Sequence, residues 1–136
     1  MAKAVGIGGL FLEFQGDKEG LHSFYREHLG LDMSPYGTGF ISGEQMMLLS
    51  FKRDFDNAPL INFRVDDLEG MLAHLRDIGL ETDELADYEY GKFAHFTDPF
   101  GNYIELWEPY EEEYRKMVKS EIESYEKSLE DSAGRD

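Results

Sequence analysis

The sequence predicts an α+β fold in which helices lie outside a curved mixed sheet, with a further helix at the C-terminus. Three observations lead to this class. A unit of strand, helix and hairpin occurs twice along the 136-residue chain. Apolar and polar residues alternate within the segments that flank each helix, which is typical of half-buried strands. Residues 110–136 instead carry apolar residues at helical spacing.

Two helices are predicted at equivalent places in the two units. The first is DKEGLHSFYREHLGL and the second is DDLEGMLAHLRDIGL. Both carry apolar residues at helical spacing and close with a glycine, Gly30 in one case and Gly79 in the other. Asp17 and Asp66 lie 13 residues before these glycines, and we expect each aspartate to cap the start of its helix.

Strands and hairpins surround each predicted helix. The strand before it is IGGLFLEF in the first unit and PLINFRV in the second, and the hairpins after it are TGFISGEQMMLLSF and KFAHFTDPFGNYIELW. Superposing Gly43 on Gly101 sets Met47 opposite Glu105. In the DPFGN turn of the second hairpin, Asp98 is expected to accept backbone hydrogen bonds and Gly101 to take a positive φ.

Alternation within the strands of the second unit predicts which side chains face the core. Those expected under the helices are Ile61, Phe63, Val65, Ile104 and Leu106. The residues between them should face the opposite, concave side of the sheet. They are Leu60, Asn62, Arg64, Tyr103, Glu105 and Trp107, with Phe93, His95 and Thr97 added by counting back across the turn.

The C-terminal segment, residues 110–136, is predicted to be an acidic helical tail. Its apolar stripe recurs at steps of four, four, three and four residues, through Tyr114, Val118, Ile122, Tyr125 and Leu129. This spacing predicts an amphipathic helix of about four or five turns. From Glu111 onward the tail has nine acidic and five basic residues. We expect the stripe to pack on a second subunit or over the outer face of its own module.

Charge and composition exclude several classes of partner. The formal net charge is −16, which disfavours nucleic acid and anionic membranes and suits cationic or neutral small molecules. The chain has no cysteine, so disulfides, zinc–thiolate clusters and thiol catalysis are excluded. No uncharged run is long enough to span a membrane, and the first residues lack a secretory cleavage pattern. We therefore expect a cytoplasmic protein.

Three segments resemble a known family. FYREHLGL after the first strand, VDDLEGMLAHLRDIGL in the middle and DPFGNYIELWEP near the end are similar to the vicinal oxygen chelate superfamily. That superfamily includes glyoxalase I, extradiol dioxygenases, fosfomycin-resistance enzymes and bleomycin-resistance proteins. The resemblance implies two βαβββ modules, about 5–52 and 59–109, whose sheet encloses a cleft. Residues 1–109 would then form the domain and residues 110–136 the tail.

Enzymes of this superfamily hold a divalent metal in the cleft through residues of the first and last strands of each module. The resemblance places these positions at Gly9, Met47, Leu60 and Glu105, with Leu10 in place of Gly9 if the register of the first strand is shifted by one residue. Glycine, methionine and leucine side chains cannot hold Mg²⁺, Ni²⁺ or Fe²⁺, which need several oxygen or nitrogen donors. We therefore predict no cofactor. The alternative is a metal held by Glu105 with His95 and water.

Among the four positions that the resemblance implies, only Glu105 has a side chain of a type that binds Mg²⁺, Ni²⁺ or Fe²⁺, so its role is the central question. It could accept a hydrogen bond from a ligand or from Arg64, or simply face water. The predicted ligand-binding residues are Asn62, Arg64, Phe93, His95, Tyr103, Glu105 and Trp107, with Phe11 as a further wall of the cleft. If the protein is an enzyme, His95 and Glu105 are its candidate catalytic residues.

Three functions are compatible with these residues. The first is metal-free binding of a small cationic or aromatic molecule, similar to the bleomycin-resistance proteins. The second is a metal-dependent glyoxalase-like lyase or dioxygenase with an atypical site. The third is an interaction module that works through the acidic tail. A curved sheet with an open cleft leaves apolar residues to cover, so we also predict a homodimer.

Overall fold

The computed structural model describes residue 10 and residues 12–35, 38–41, 47–48, 50–51 and 56–133. Within these ranges the chain forms three helices and six strands. In chain order they are α1 (Lys18–Leu29), β1 (Asp32–Met33), β2 (Gly39–Phe40), β3 (Asn62–Arg64), α2 (Leu68–Asp77), β4 (Ala86–Tyr88), β5 (Gly91–Thr97), β6 (Tyr103–Pro109) and α3 (Glu111–Ala133). The predicted α+β class is confirmed.

The second predicted module is complete. Its four strands form one mixed sheet in the order β3-β6-β5-β4, and α2 connects β3 to β4. β3 runs parallel to β6, whereas β5 is antiparallel to both β6 and β4. A parallel pair requires a crossover connection, and here the chain from β3 to β6 passes through α2, β4 and β5. The order of elements is therefore βαβββ, as the family resemblance implied for this part of the chain.

The first module is described in part. The structure shows α1 and a short antiparallel hairpin of β1 and β2. Half of the predicted first strand, including Gly9 and Phe11, lies outside the described residues, as do residues 42–46 and 49 of the predicted hairpin. Met47 and Leu60 are described, and both are exposed.

The core lies between the two helices α1 and α2 and one face of the four-stranded sheet. Its largest fully buried side chains are Phe96, Leu68, Leu75, Ile104 and Leu106. Ile61, Phe63 and Val65 pack against this cluster, as their alternation predicted. Burying one such side chain stabilises the fold by roughly 1.5–3 kcal/mol. The opposite face of the sheet is therefore the one available for a site.

The DPFGN turn connects β5 to β6 and also contacts α1 in the first half of the chain. The carboxylate of Asp98 accepts hydrogen bonds from the backbone amides of Phe100 and Asn102 and from the hydroxyl of Tyr25 on α1. Gly101 has a φ of 92°, so it takes the conformation that the turn requires. Burial of its phenol raises the pKa of Tyr25, and the hydrogen bond to Asp98 raises it further.

Helix capping agrees with the prediction at α1 and corrects it at α2. Asp17 caps α1 through the amide of Gly20, and Gly30 closes that helix in the left-handed conformation. The cap of α2 is Asp67 rather than Asp66, because Asp67 has the extended backbone and its carboxylate accepts from the amide of Gly70. A sequence with two consecutive aspartates leaves this choice to backbone geometry.

The tail helix is longer than predicted and begins on a different face. α3 has 23 residues, which is about six turns. Its first turn packs on the concave face of the sheet, where Tyr114 contacts Trp107. It does not pack on the outer face, which α1 and α2 cover and which was one of the two predicted positions. Glu112 and Lys116 form an ion pair one helical turn apart at 3.5 Å.

Within the part of the chain that is described, none of the three helices is both long and apolar enough to cross a membrane.

Candidate functional site

The concave face of the four-stranded sheet carries all seven predicted ligand-binding residues. Strand register arranges them in rows that cross the sheet. One row contains Asn62, Glu105 and His95, since Glu105 pairs with both of the other two. The next row contains Arg64, Trp107 and Phe93, again with the β6 residue in the centre. Tyr103 lies one row further along β6, opposite Thr97.

The first row is a connected polar group. Asn62 Nδ2 donates to Glu105 Oε1 at 2.6 Å, and the second carboxylate oxygen of Glu105 lies 2.9 Å from His95 Nε2. His95 Nδ1 lies 2.7 Å from Asp83 Oδ2, and the backbone amide of His95 donates to the other oxygen of Asp83 at 2.6 Å. Four side chains, from β3, the loop before β4, β5 and β6, therefore hold one another in place.

The imidazole of His95 is placed between two carboxylates. An ionised carboxylate only accepts hydrogen bonds, so both Asp83 and Glu105 are satisfied together when the ring donates from both of its nitrogens. The His95 side chain is 23% exposed and that of Glu105 is 16% exposed, so a small solute can reach the group. Such an arrangement can hold a proton or bind a group that donates hydrogen bonds.

Tyr103 extends this group on the solvent side. Its ring stacks on the His95 imidazole with centroids 5.1 Å apart and planes 10° from parallel. Burial of the phenol, followed by the negative charges of Asp83 and Glu105, raises the pKa of Tyr103. A cleft of about 200 Å³ is lined by Tyr103, His95 and Asp83, together with Glu81, Thr82, Phe96 and Thr97.

The second row is mainly aromatic. Phe93 and Trp107 stack with centroids 5.1 Å apart, and the ring of Tyr114 on α3 meets Trp107 edge-on at 4.7 Å. Tyr88, the last residue of β4, and Tyr90, in the turn before β5, each form a T-shaped contact with Phe93. The aromatic surface therefore runs from the exposed edge of the sheet to α3. At its α3 end Trp107 is only 8% exposed, because Tyr114 covers it.

Arg64 lies over the same aromatic rings. Its guanidinium carbon is 5.4 Å from the Trp107 ring centre and 5.9 Å from that of Tyr114. The guanidinium also forms an ion pair with Glu111, in the first turn of α3. Burial raises the pKa of Tyr114, although the positive charge of Arg64 opposes the shift. A cleft of about 510 Å³ adjoins this ion pair, between the end of α1, α2 and the start of α3.

The metal site that the resemblance implies does not fit these residues. Met47 and Leu60 offer no nitrogen or oxygen donor, and Gly9 lies outside the described residues. The carboxylates of Glu105 and Asp83 lie on opposite nitrogens of His95, so the three side chains do not converge on one point. Among the residues whose placement is described, no three His, Cys, Asp or Glu side chains are arranged to hold a metal ion.

Three residues of the site were not identified by the sequence. Asp83 precedes β4 in an acidic loop, and neither periodicity nor a motif connects it to His95. Glu111 and Tyr114 belong to the tail, where Tyr114 was predicted as part of an apolar stripe with an unidentified partner. The pairing of Glu105 with His95 could be predicted by counting residues back across the turn, because the two residues face each other in the β5–β6 hairpin.

Comparison with known proteins agrees with this architecture. The model of the Glyoxalase/Bleomycin resistance protein/Dioxygenase superfamily matches residues 14–106. Among curated protein sequences, none is similar enough to be matched. The solved structure of TnmS3, an antibiotic binding protein from Streptomyces sp. CB03234, is 24% identical with a TM-score of 0.52, over 79% of this chain and 99% of that one.

Two further solved structures have similar folds. The fosfomycin resistance protein FosX from Listeria monocytogenes is 12% identical with a TM-score of 0.53, covering 82% of this chain and 99% of its own. An integron cassette protein from the mobile metagenome of the Halifax Harbour sewage outfall is 22% identical with a TM-score of 0.50, over 75% and 99% of the two chains. These identities show the fold alone. Since the family model covers more than half of the residues, the chain belongs to the Glyoxalase/Bleomycin resistance protein/Dioxygenase superfamily.

Proposed function

We propose that this member of the superfamily binds a small cationic or aromatic molecule on the concave face without a metal ion. The observation that carries the proposal is the group formed by Asn62, Glu105, His95 and Asp83, which is hydrogen-bonded throughout and still partly exposed. A partly enclosed carboxylate beside aromatic rings is a common way of fixing the polar end of a ligand.

The chemistry of the first row favours a ligand that donates hydrogen bonds. Glu105 and Asp83 supply acceptor oxygens, and the Tyr103 ring offers a flat face beside them. A positively charged group would gain from both carboxylates and from the net charge of −16. An aromatic portion of the same ligand would extend toward Phe93, which stacks on Trp107 in the next row. Ligand, carboxylate and ring would then share one face of the sheet.

The alternative is a metal-dependent lyase or dioxygenase that uses His95 and Glu105. The 2.9 Å contact between these side chains favours it, because it is the geometry of an acid–base pair. Met47 and Leu60, at two of the implied metal-ligand positions, disfavour this alternative, because neither side chain is a ligand for a hard cation. Metal analysis of protein purified without chelators separates the two functions. About one equivalent of Ni, Zn, Mn or Fe would favour the enzyme.

The remaining parts of the proposal concern partners and location. We expect a homodimer in the cytoplasm that binds neither nucleic acid nor membranes. The acidic composition and the lack of cysteine support this part of the proposal. An interaction module that works through the tail is the third function. Deleting residues 111–136 and measuring the oligomeric mass tests it.

Equilibrium dialysis tests the binding function directly. The probes are cationic glycopeptides and aromatic cations, with neutral aromatic molecules of the same size for comparison. Binding to the wild type that weakens in Glu105→Gln would support the proposal. Glu126→Gln is the matched control, because it removes the same charge from an exposed position on α3. If no probe binds above background, the cationic or aromatic ligand class is wrong.

A further inference from the structure

We propose that the first turn of α3 occupies a second ligand subsite on the concave face, and that this subsite takes an aromatic carboxylate when the turn moves away. The inference rests on the proposed binding function and adds a ligand class for the row of Arg64 and Trp107. The contacts of Tyr114 and Glu111 carry it, because these two side chains show which chemical groups the surface accepts.

The two contacts resemble those of a bound ligand. Tyr114 places a phenol ring in a T-shaped contact with Trp107, with ring centroids 4.7 Å apart, and Glu111 presents a carboxylate to the guanidinium of Arg64. Arg64 lies within 6 Å of both ring centres, so the guanidinium and the aromatic wall form one continuous surface. An aromatic ring and a carboxylate joined by a short linker would satisfy the same two features.

α3 is anchored to the body mainly through its first turns. Tyr114 is buried, and Met117 and Val118 are half-buried, whereas every later residue of the helix that the structure describes is exposed. Ile122, Tyr125 and Leu129 are 51%, 66% and 51% exposed. A helix held by so few contacts opens at lower free energy than one packed along its length.

Tyr110 provides a fixed point about which this turn can move. Its hydroxyl donates to Asp87 at 2.7 Å, and its backbone amide donates to the carbonyl of Tyr90 at 3.0 Å. Both partners belong to the β4–β5 hairpin region, so Tyr110 stays with the sheet when α3 departs. Movement that begins at Glu111 would uncover the ring of Trp107 and take the Glu111 carboxylate away from the guanidinium of Arg64.

The charges around Arg64 limit which anions can bind. Asp66 and Glu108 line the adjoining cleft of about 510 Å³ together with Glu111. Glu108 accepts a hydrogen bond from the amide of Leu68 at 2.9 Å, so it is already used at the start of α2. These carboxylates would repel a small anion, and the guanidinium of Arg64 would be the cation that attracts it. The aromatic wall is therefore needed for binding, and a carboxylate without a ring should not suffice.

The chain contains a single tryptophan, so Trp107 reports directly on this subsite. Its fluorescence would be measured while 4-hydroxyphenylacetate is added to the full-length wild type and to Tyr114→Ala and Glu111→Gln. Tyramine carries the same ring with a cation, and acetate carries the carboxylate without a ring. Salt at about 0.15 M reduces the repulsion between the acidic protein and the anionic probe.

We expect Tyr114→Ala to bind 4-hydroxyphenylacetate about tenfold more tightly than the wild type, because a competing aromatic contact is removed. Glu111→Gln should also bind it more tightly, and tyramine and acetate should bind weakly to both variants. Adding Arg64→Gln to Tyr114→Ala should abolish the preference for 4-hydroxyphenylacetate over tyramine. Tyr125→Ala and Glu112→Gln are matched controls on the exposed side of α3 and should behave as the wild type.

The proposal would be overturned if 4-hydroxyphenylacetate bound equally to the wild type, to Tyr114→Ala and to Glu111→Gln. It would also be overturned if these two variants bound tyramine more tightly than 4-hydroxyphenylacetate. If circular dichroism shows that Tyr114→Ala does not fold, Glu111→Gln decides alone, since it is isosteric. The result is separable from that of the dialysis experiment. Glu105→Gln should weaken the cationic ligands and leave the binding of 4-hydroxyphenylacetate to Tyr114→Ala unchanged.

Discussion

His95 and Glu105 face each other across the β5–β6 ladder, and their side chains meet at 2.9 Å between Nε2 and Oε2. Directly paired residues on adjacent antiparallel strands are close enough for such contacts. Glu105 also accepts from Asn62 on the neighbouring parallel strand, so its two oxygens have separate partners. The carboxylate of Glu105 is thus the centre of a hydrogen-bonded row and has its own partners before any ligand arrives.

Replacing Glu105 with glutamine should preserve the fold. The amide oxygen still accepts from Asn62, and the amide nitrogen can donate to a neutral His95, so the free energy of unfolding should change by at most about 1 kcal/mol. Glu105→Ala removes both acceptors and should cost about 1–3 kcal/mol. Urea denaturation measures both values. Unfolding of the glutamine variant at room temperature would show that the charge of Glu105 holds the fold together.

Added divalent metal should change the melting temperature little. A ligand stabilises a protein by mass action only where the folded state has a site for it, and Met47 and Leu60 do not provide one. Thermal melts with and without micromolar Zn²⁺ or Ni²⁺ test this. A rise of several degrees that Glu105→Ala abolishes would contradict metal-free binding. His74→Gln is the control for metal bound at the contact between His28 and His74, whose ring nitrogens are 3.1 Å apart.

Alkaline pH should destabilise the protein partly through Tyr110. Its hydrogen bond to Asp87, followed by burial and nearby negative charges, raises its pKa to about 12. The unfolded phenol titrates near 10, so this stabilisation is fully present below about pH 10 and is lost as the pH rises toward 12. Denaturant unfolding at pH 9 and pH 11 measures the loss. Tyr110→Phe should lose less stability over this interval, and an identical loss would show that Tyr110 does not contribute.

The protein should be a homodimer at tens of micromolar. The exposed stripe through Ile122, Tyr125 and Leu129 is the structural reason, because an isolated amphipathic helix leaves this surface in water. Light scattering on the wild type comes first, and a monomeric mass would refute the dimer.

A double variant tests whether α3 takes part in that dimer. Val118→Glu with Ile122→Glu should weaken association if the helix crosses between subunits. If the helix packs only on its own chain, the same change should lower stability and leave the mass unaltered. Ser120→Glu adds charge at an exposed position of the same helix and is the control.

Most of the fold could be predicted because its determinants are local. The 3.6-residue spacing of Leu68, Leu72 and Leu75 defines a buried helix face, and alternation places Ile104 and Leu106 in the core. The same alternation placed Glu105 and Trp107 together on the concave face. The aspartate that caps α2 was assigned one residue too early, since two neighbouring aspartates have the same capping chemistry.

The sequence by itself determined the superfamily fold, the buried faces of α1 and α2, and the side of the sheet on which the residues of β3, β5 and β6 lie. Only the tertiary structure decided that Asp83 binds His95 and that Tyr114 and Glu111 cover Trp107 and Arg64. The reason is physical. Periodicity is a property of neighbouring residues, whereas these contacts depend on the path of the loop before β4 and on the turn at Tyr110, where no repeating pattern specifies the direction of the chain.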